Sequence, residues 1–136
     1  MPATDRAIEL CVVAARAAAQ KKAEEIIAID VSDRLVLTDA FLIVSAANDR
    51  QVRAVVDAID EAMIKAGAKR QMREGLTEAH WVLVDYQDVV VHIQQEQDRE
   101  FYDLERLWKD CPRIALPAMD GEDEALGQDS PVAAGI

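Results

Sequence analysis

Hydrophobic residues recur along this chain with two different spacings, and the alternation between them predicts an α/β fold. Ile8, Val12, Ala15 and Ala19 return every three or four positions, which marks one side of a helix running to about Lys22, and Thr4 and Asp5 before it are suitable caps. The stripe is rich in alanine, so this helix is expected to pack closely while adding modest hydrophobic energy. Ile26, Ile27, Ile29 and Val31 make an apolar run of strand length, Glu25 to Val31, that ends at the turn-forming Ser32 and Asp33. The run from Ala40 to Ser45 is apolar on both faces, the pattern of a central strand covered on both sides. Asn48 then caps a second helix with Gln51 three positions on, as in a capping box, and Val52, Val55, Ile59 and Met63 align on one face until Gly67 stops it.

A helix between two strands at this distance implies a crossover, so the strand at Ala40 and a short one near Lys69 to Arg73 are expected to be parallel neighbours. Trp81 to Val84 and Asp88 to Ile93 predict an antiparallel hairpin around Tyr86 and Gln87. A last helix, from about Asp98 to Lys109, puts Phe101, Leu104 and Trp108 on one side and Tyr102, Glu105 and Arg106 on another, and Pro112 and Pro117 end it. The expected architecture is one α/β domain over residues 1–116, with a mixed sheet of four or five strands flanked by helices. Residues 117–136, rich in Gly, Ala and acids, are expected to form a disordered tail.

Composition narrows the function. A chain of 136 residues, 51% of them apolar, supports one buried core. Its net charge of −11 argues against gripping bare nucleic acid, which needs Lys and Arg to displace counterions, and points toward a basic protein partner. Part of that charge is local, because Asp120, Glu122, Asp123, Glu124 and Asp129 fall in the tail, which has no Lys or Arg. The longest apolar runs fall far short of the roughly 20 residues that span a bilayer, and the opening residues include Asp5 and Glu9, so a soluble intracellular protein without membrane contact is expected. Cys11 and Cys111 lack any CxxC spacing and read as two reduced thiols.

Candidate chemistry is sparse. Asp85 and Asp88 flank the hairpin turn, where paired carboxylates could hold a metal, although turns select Asp for backbone hydrogen bonding. His80 and His92 lack a partner at ligand spacing, and no metal site is expected. Ser45 lies between a strand and a helix, where a nucleophile or phosphate turn can sit, but Ala46 and Ala47 stand where close backbone approach would need glycine. No nucleophile with a base is evident, so the expectation is a protein that binds and does not catalyse. The six aromatic residues are more informative. Core packing accounts for Phe101 and Trp108, whereas Tyr86 at a turn tip and Tyr102 on a polar helix flank are expected to be exposed beside carboxylates, as in a protein-binding hot spot.

The segment Trp81-Val82-Leu83-Val84-Asp85-Tyr86-Gln87-Asp88-Val89-Val90-Val91-His92, followed by Phe101-Tyr102-Asp103-Leu104-Glu105-Arg106-Leu107-Trp108, resembles the ribosomal silencing factor family, also called Iojap. Thr38-Asp39-Ala40-Phe41, Asn48-Asp49-Arg50-Gln51-Val52 and Glu74-Gly75 match in the same order, so the resemblance covers about Asp5 to Trp108 and leaves the acidic tail outside. It implies a nucleotidyltransferase-like topology without that activity and without a cofactor. It also implies a bacterial or organellar factor, expected in the cytoplasm, that docks on ribosomal protein L fourteen of the large subunit and keeps the small subunit from joining when nutrients are short. Contact with neighbouring ribosomal RNA and a homodimer are further expectations. By motif, the binding surface is placed on Trp81, Asp85, Tyr86 and Tyr102, with Glu74, Asp88 and Glu105 as supporting acids. Carboxylates would steer encounter while aromatics supply the desolvated contact. Two departures stand out: Ser45-Ala46-Ala47 replaces a glycine-containing turn, and Gln87 stands where the family has glycine. The competing readings are a large-subunit assembly factor and a nucleotidyltransferase-like enzyme.

Overall fold

The Thr4 hydroxyl accepts the Ala7 amide and opens α1 (Asp5–Gln20), whose inner side is a run of small residues with Leu10 and Cys11. The computed structural model describes residues 2–119. After α1 the chain forms β1 (Glu24–Asp30), β2 (Ala40–Ala46), α2 (Asp49–Lys65), β3 (Met72–Glu74), β4 (Trp81–Asp85) and β5 (Val89–Gln95). It closes with α3 (Glu96–Tyr102), α4 (Leu104–Leu107) and β6 (Arg113–Ile114). Asn48 caps α2 by accepting the Gln51 amide, while the Gln51 side chain accepts from Ala47, so the expected reciprocal capping is met one residue early. Gly67, at φ +86°, follows the end of α2 in the left-handed conformation that helix termini favour.

The described strands form one mixed sheet in the order β3-β4-β5-β2-β1-β6, six strands where four or five were expected. The added edge is β6, two residues long, and pairs of that length carry no readable period. Every residue of β2 is buried, as its two-sided apolarity predicts, and Phe41, Leu42, Ile43 and Val44 each contribute roughly 1.5–3 kcal/mol of burial. The parallel partner of β2 is β5, in register from Ala40 opposite Val89 to Ala46 opposite Gln95. This corrects the expected pairing with the strand after α2. That strand, β3, is three residues long, exposed at both ends, and pairs antiparallel with β4 at the sheet edge. A strand buried on both faces needs long apolar neighbours, and β5 supplies one. The β4–β5 hairpin forms as expected.

The long helices α1 and α2 cover one face of the sheet over a core that includes Leu10, Leu42, Val44, Val55, Ile59, Met63, Val84 and Ile93. The opposite face carries a smaller core of Ile29, Val31, Phe41, Ile43, Leu104 and Cys111, against which Trp81, Val90 and Trp108 pack. Cys11 and Cys111 are free and buried in different cores, on opposite sides of the sheet, and burial with the nearby Asp30 charge pushes the Cys11 thiol up to about 12. The expected continuous last helix is broken at Asp103, which adopts φ 49° and ψ 58°, a left-handed conformation that Asp tolerates better than most residues. The break turns Phe101 outward, so the residue assigned to the core is 80% exposed, while Leu104 is buried as expected. Leu116 and Met119 remain packed against the larger core, and the tail expected to be disordered lies, from residue 120 on, outside the described residues. No described helix is long and apolar enough to cross a membrane.

Candidate partner-docking surface

Register decides which side chains share the second face. Trp81, Leu83 and Asp85 of β4 stand opposite Gln94, His92 and Val90 of β5, and these in turn meet Ser45, Ile43 and Phe41 of β2. On the far side, Glu74 and Met72 of β3 face Leu83 and Asp85. This half of the face is lightly covered: Leu83, Asp85 and Val90 are half-buried, and Met72 and Glu74 are exposed.

A row of rings crosses the face from core to solvent. Trp108 meets Phe41 edge-on at 5.0 Å, Phe41 meets His92 at 4.8 Å, and the Trp81 indole N–H donates to His92 Nδ1 at 3.2 Å. Tyr102 lies 4.7 Å from Trp81 between ring centroids, and Phe101 contacts Tyr102 at 4.9 Å. Burial pulls the His92 pKa down to about 4, so the ring is neutral and free to accept the indole proton. The outer end of the row is open, with Tyr102 45% and Phe101 80% exposed. Exposed carboxylates of Glu96, Glu100 and Asp103 share α3 and its end with these rings, while Arg106 and Lys109 follow on the next turn.

The residues named from sequence fall into separate groups. Trp81 and Tyr102 come together, with Glu74 further across the same face. Tyr86 does not join them: it is 3% exposed, belongs to the core under α1 and α2, and donates its hydroxyl proton to Asp60 of α2 at 2.9 Å. Its expected exposure is therefore overturned, because the alternation Val82, Val84, Tyr86 carries the ring onto the first face. Asp85 and Asp88 lie at the turn end of the hairpin, about 13 Å along β4 from Trp81. Asp85 accepts the Gln87 amide at 2.7 Å and so holds the turn, in which Gln87 takes φ 78°, the conformation that glycine would adopt freely. Glu105 is half-buried and engaged inside the domain, where both its oxygens accept from the Arg99 guanidinium at 3.0 Å, and the hydrogen bond holds its carboxyl below the usual range.

The other candidates for chemistry are also occupied. Ser45 is buried, donates to Glu25 at 3.2 Å and accepts from Arg99 at 2.9 Å, and the strand runs on through Ala46 in place of a phosphate-binding turn. His80 approaches Asp98 at 3.4 Å. Among the described residues no three His, Cys, Asp or Glu side chains gather as a metal site would require.

Sequence reasoning missed Phe101 and Leu107, the latter 66% exposed, because a continuous helix would have turned Phe101 inward. It also missed Val36 and Leu37, 98% and 86% exposed in the β1–β2 loop. Leu35 of that loop packs on the second core and Arg34 lies over the Trp108 ring at 5.2 Å. An apolar pair outside any periodic run was the signal available.

Fold and face together define a small mixed-sheet α/β protein with one face sealed by long helices and the other left part-open, apolar and edged with acids. The sequence model described as "Ribosomal silencing factor during starvation" matches residues 4–134, a span that enters the tail the sequence reading had left outside the resemblance. A Bacillus subtilis ribosomal silencing factor is 41% identical over 104 residues, covering 76% of this chain and 88% of that protein. The chloroplastic Iojap protein of Zea mays is 34% identical, over 81% of this chain and 48% of that one. A crystal structure of a Chromobacterium violaceum protein superposes with a TM-score of 0.72 at 33% identity, covering 74% of this chain and 84% of that one. The chain belongs to the ribosomal silencing factor family.

Proposed function

We propose that this silencing factor acts in the cytoplasm by docking its second sheet face on the large ribosomal subunit, at ribosomal protein L fourteen, where its bulk keeps the small subunit from joining. The observation that carries the reading is the open end of the ring row: Phe101 and Tyr102 stand in solvent beside the acids of α3 on a chain of net charge −11. Exposed aromatics supply desolvated contact, and acids raise the encounter rate with a basic ribosomal protein. Trp81, Tyr102 and Glu74 keep their expected roles in this reading, joined by Phe101. Asp85 and Asp88 serve at the far margin, and contact with adjacent ribosomal RNA is limited to the Arg106 and Lys109 side. No catalytic step is involved, and self-association as a homodimer would use surface away from this face.

The test is subunit joining. Purified large and small subunits mixed with the protein and resolved on a sucrose gradient will show fewer joined ribosomes, with the protein co-migrating with the large subunit. Joining that proceeds unchanged at saturating protein overturns the proposal. A second reading, an assembly factor for the same subunit, is favoured by one relative, a mouse protein 30% identical and named "Mitochondrial assembly of ribosomal large subunit protein 1". Accumulation of immature large subunits in growing cells that lack the protein would favour it.

A further inference from the structure

Helix α3 rests on an unusual seat. Four of the five buried polar side chains among the described residues are Ser45, His92 and Gln94, on neighbouring positions of β2 and β5, the two strands that α3 contacts, and Arg99 on α3 itself. Gln94 is fully buried with neither amide atom in a hydrogen bond, and His92 Nε2 is also unpartnered. Such groups cost free energy to bury, so the seat itself attracts the helix weakly. Nor does α3 bring a buried apolar stripe to offset this: its buried residue is Arg99, Phe101 is 80% exposed, and Tyr102 covers only part of its ring against Trp81.

What fixes α3 is the guanidinium of Arg99. Its Nη1 donates to Ser45 at 2.9 Å, pinning the helix to the end of β2, while Nε and Nη2 make a paired contact with Glu105 at 3.0 Å each. Glu105 lies beyond the left-handed break at Asp103, so the same side chain also sets the angle between α3 and α4. Phe101 and Tyr102 sit immediately before that break and Leu107 at the far end of α4. The planar fork satisfies three demands at once, which the point charge of lysine cannot do.

We propose that Arg99 is the positioning residue of the docking surface: it touches no partner, but through Ser45 and Glu105 it fixes where Tyr102 and Phe101 stand. The inference rests on the docking reading above and deepens it. It gives Glu105 an internal task in place of direct partner contact, and it makes the pair Arg99 and Glu105 act as one unit.

Two readouts on the full chain separate this from a general loss of fold. The sequence has two tryptophans, so in a Trp108→Phe background Trp81 fluorescence reports the Tyr102 ring, tilted against it at 4.7 Å, without any ribosome present. Arg99→Lys and, as a milder second variant, Glu105→Gln are each expected to shift Trp81 emission to the red while far-UV circular dichroism stays unchanged. Both are also expected to weaken co-sedimentation with purified large subunits at least about tenfold, and the double variant should be no weaker than the worse single one, as for residues acting as a unit. Emission and affinity like those of the parent protein overturn the proposal, as do additive losses or an emission shift without loss of affinity. If the unaltered protein fails to co-sediment, the docking reading falls instead, and the emission arm alone decides whether Arg99 sets the ring.

Discussion

Acidification from pH 7 to pH 5 will destabilise this fold through one residue, His92. The ring is 4% exposed, accepts the Trp81 indole proton on Nδ1 and is abutted by Phe41, and burial pulls its pKa from 6.5 down to about 4. Inside the fold the imidazole stays neutral over this range, whereas in the unfolded chain it takes up a proton below about 6.5. The unfolded state therefore binds more protons, and stability falls as pH drops from about 6.5 until the folded ring is also protonated near pH 4. The full gap corresponds to roughly 3 kcal/mol, of which about 2 kcal/mol is already lost at pH 5. Glu105, held low by Arg99, acts in a different window: its contribution is complete above the ordinary carboxylate pKa and is lost only as pH falls through its depressed value. Urea midpoints at pH 7 and pH 5 for the parent protein and for His92→Gln, which keeps an acceptor oxygen but cannot titrate, isolate the histidine. The parent should lose about 2 kcal/mol more than the variant over this interval. Equal losses would refute the reasoning.

Three further substitutions test the fold around the hairpin. Tyr86→Phe removes the donor to Asp60 and should lower stability by about 1–2 kcal/mol in urea unfolding while leaving ribosome affinity unchanged, since the ring lies on the sealed face. Gln87→Gly should raise stability by about 0.5–1 kcal/mol, because it relieves a side chain at φ 78°; a drop in the urea midpoint would contradict that account of the turn. At Gly75, φ is +91° and a Cβ would lie 2.1 Å from the Trp81 carbonyl oxygen. Gly75→Ala should therefore cost at least about 3 kcal/mol, read as a lowered thermal midpoint.

Much of the fold could be read locally. The caps at Thr4 and Asn48, the two-sided strand β2 and the stop at Gly67 each depend on a few adjacent residues, and each forms where the pattern predicts. The partnership of β2 with β5 was not legible, because it is decided by which strand can bury two faces and not by which strand comes next. The docking face was half legible. Trp81 and Tyr102 do meet, but the single left-handed residue Asp103 exchanged the expected places of core and surface at Phe101. The Val82, Val84, Tyr86 alternation continues one step past the strand and carries Tyr86 into the core, a signal present in the sequence. The role of Arg99 was invisible, since it depends on Ser45, 54 positions earlier in the chain.

The central claim, that the second sheet face meets the large subunit through its open rings, is tested most directly by the affinity of a Phe101→Ala, Tyr102→Ala double variant for purified large subunits at low salt. Both rings are exposed, so the variant should keep the parent's thermal midpoint and lose affinity by on the order of 2 kcal/mol, about thirtyfold. Undiminished binding by that folded variant would place the ribosome contact elsewhere on the domain and contradict the account.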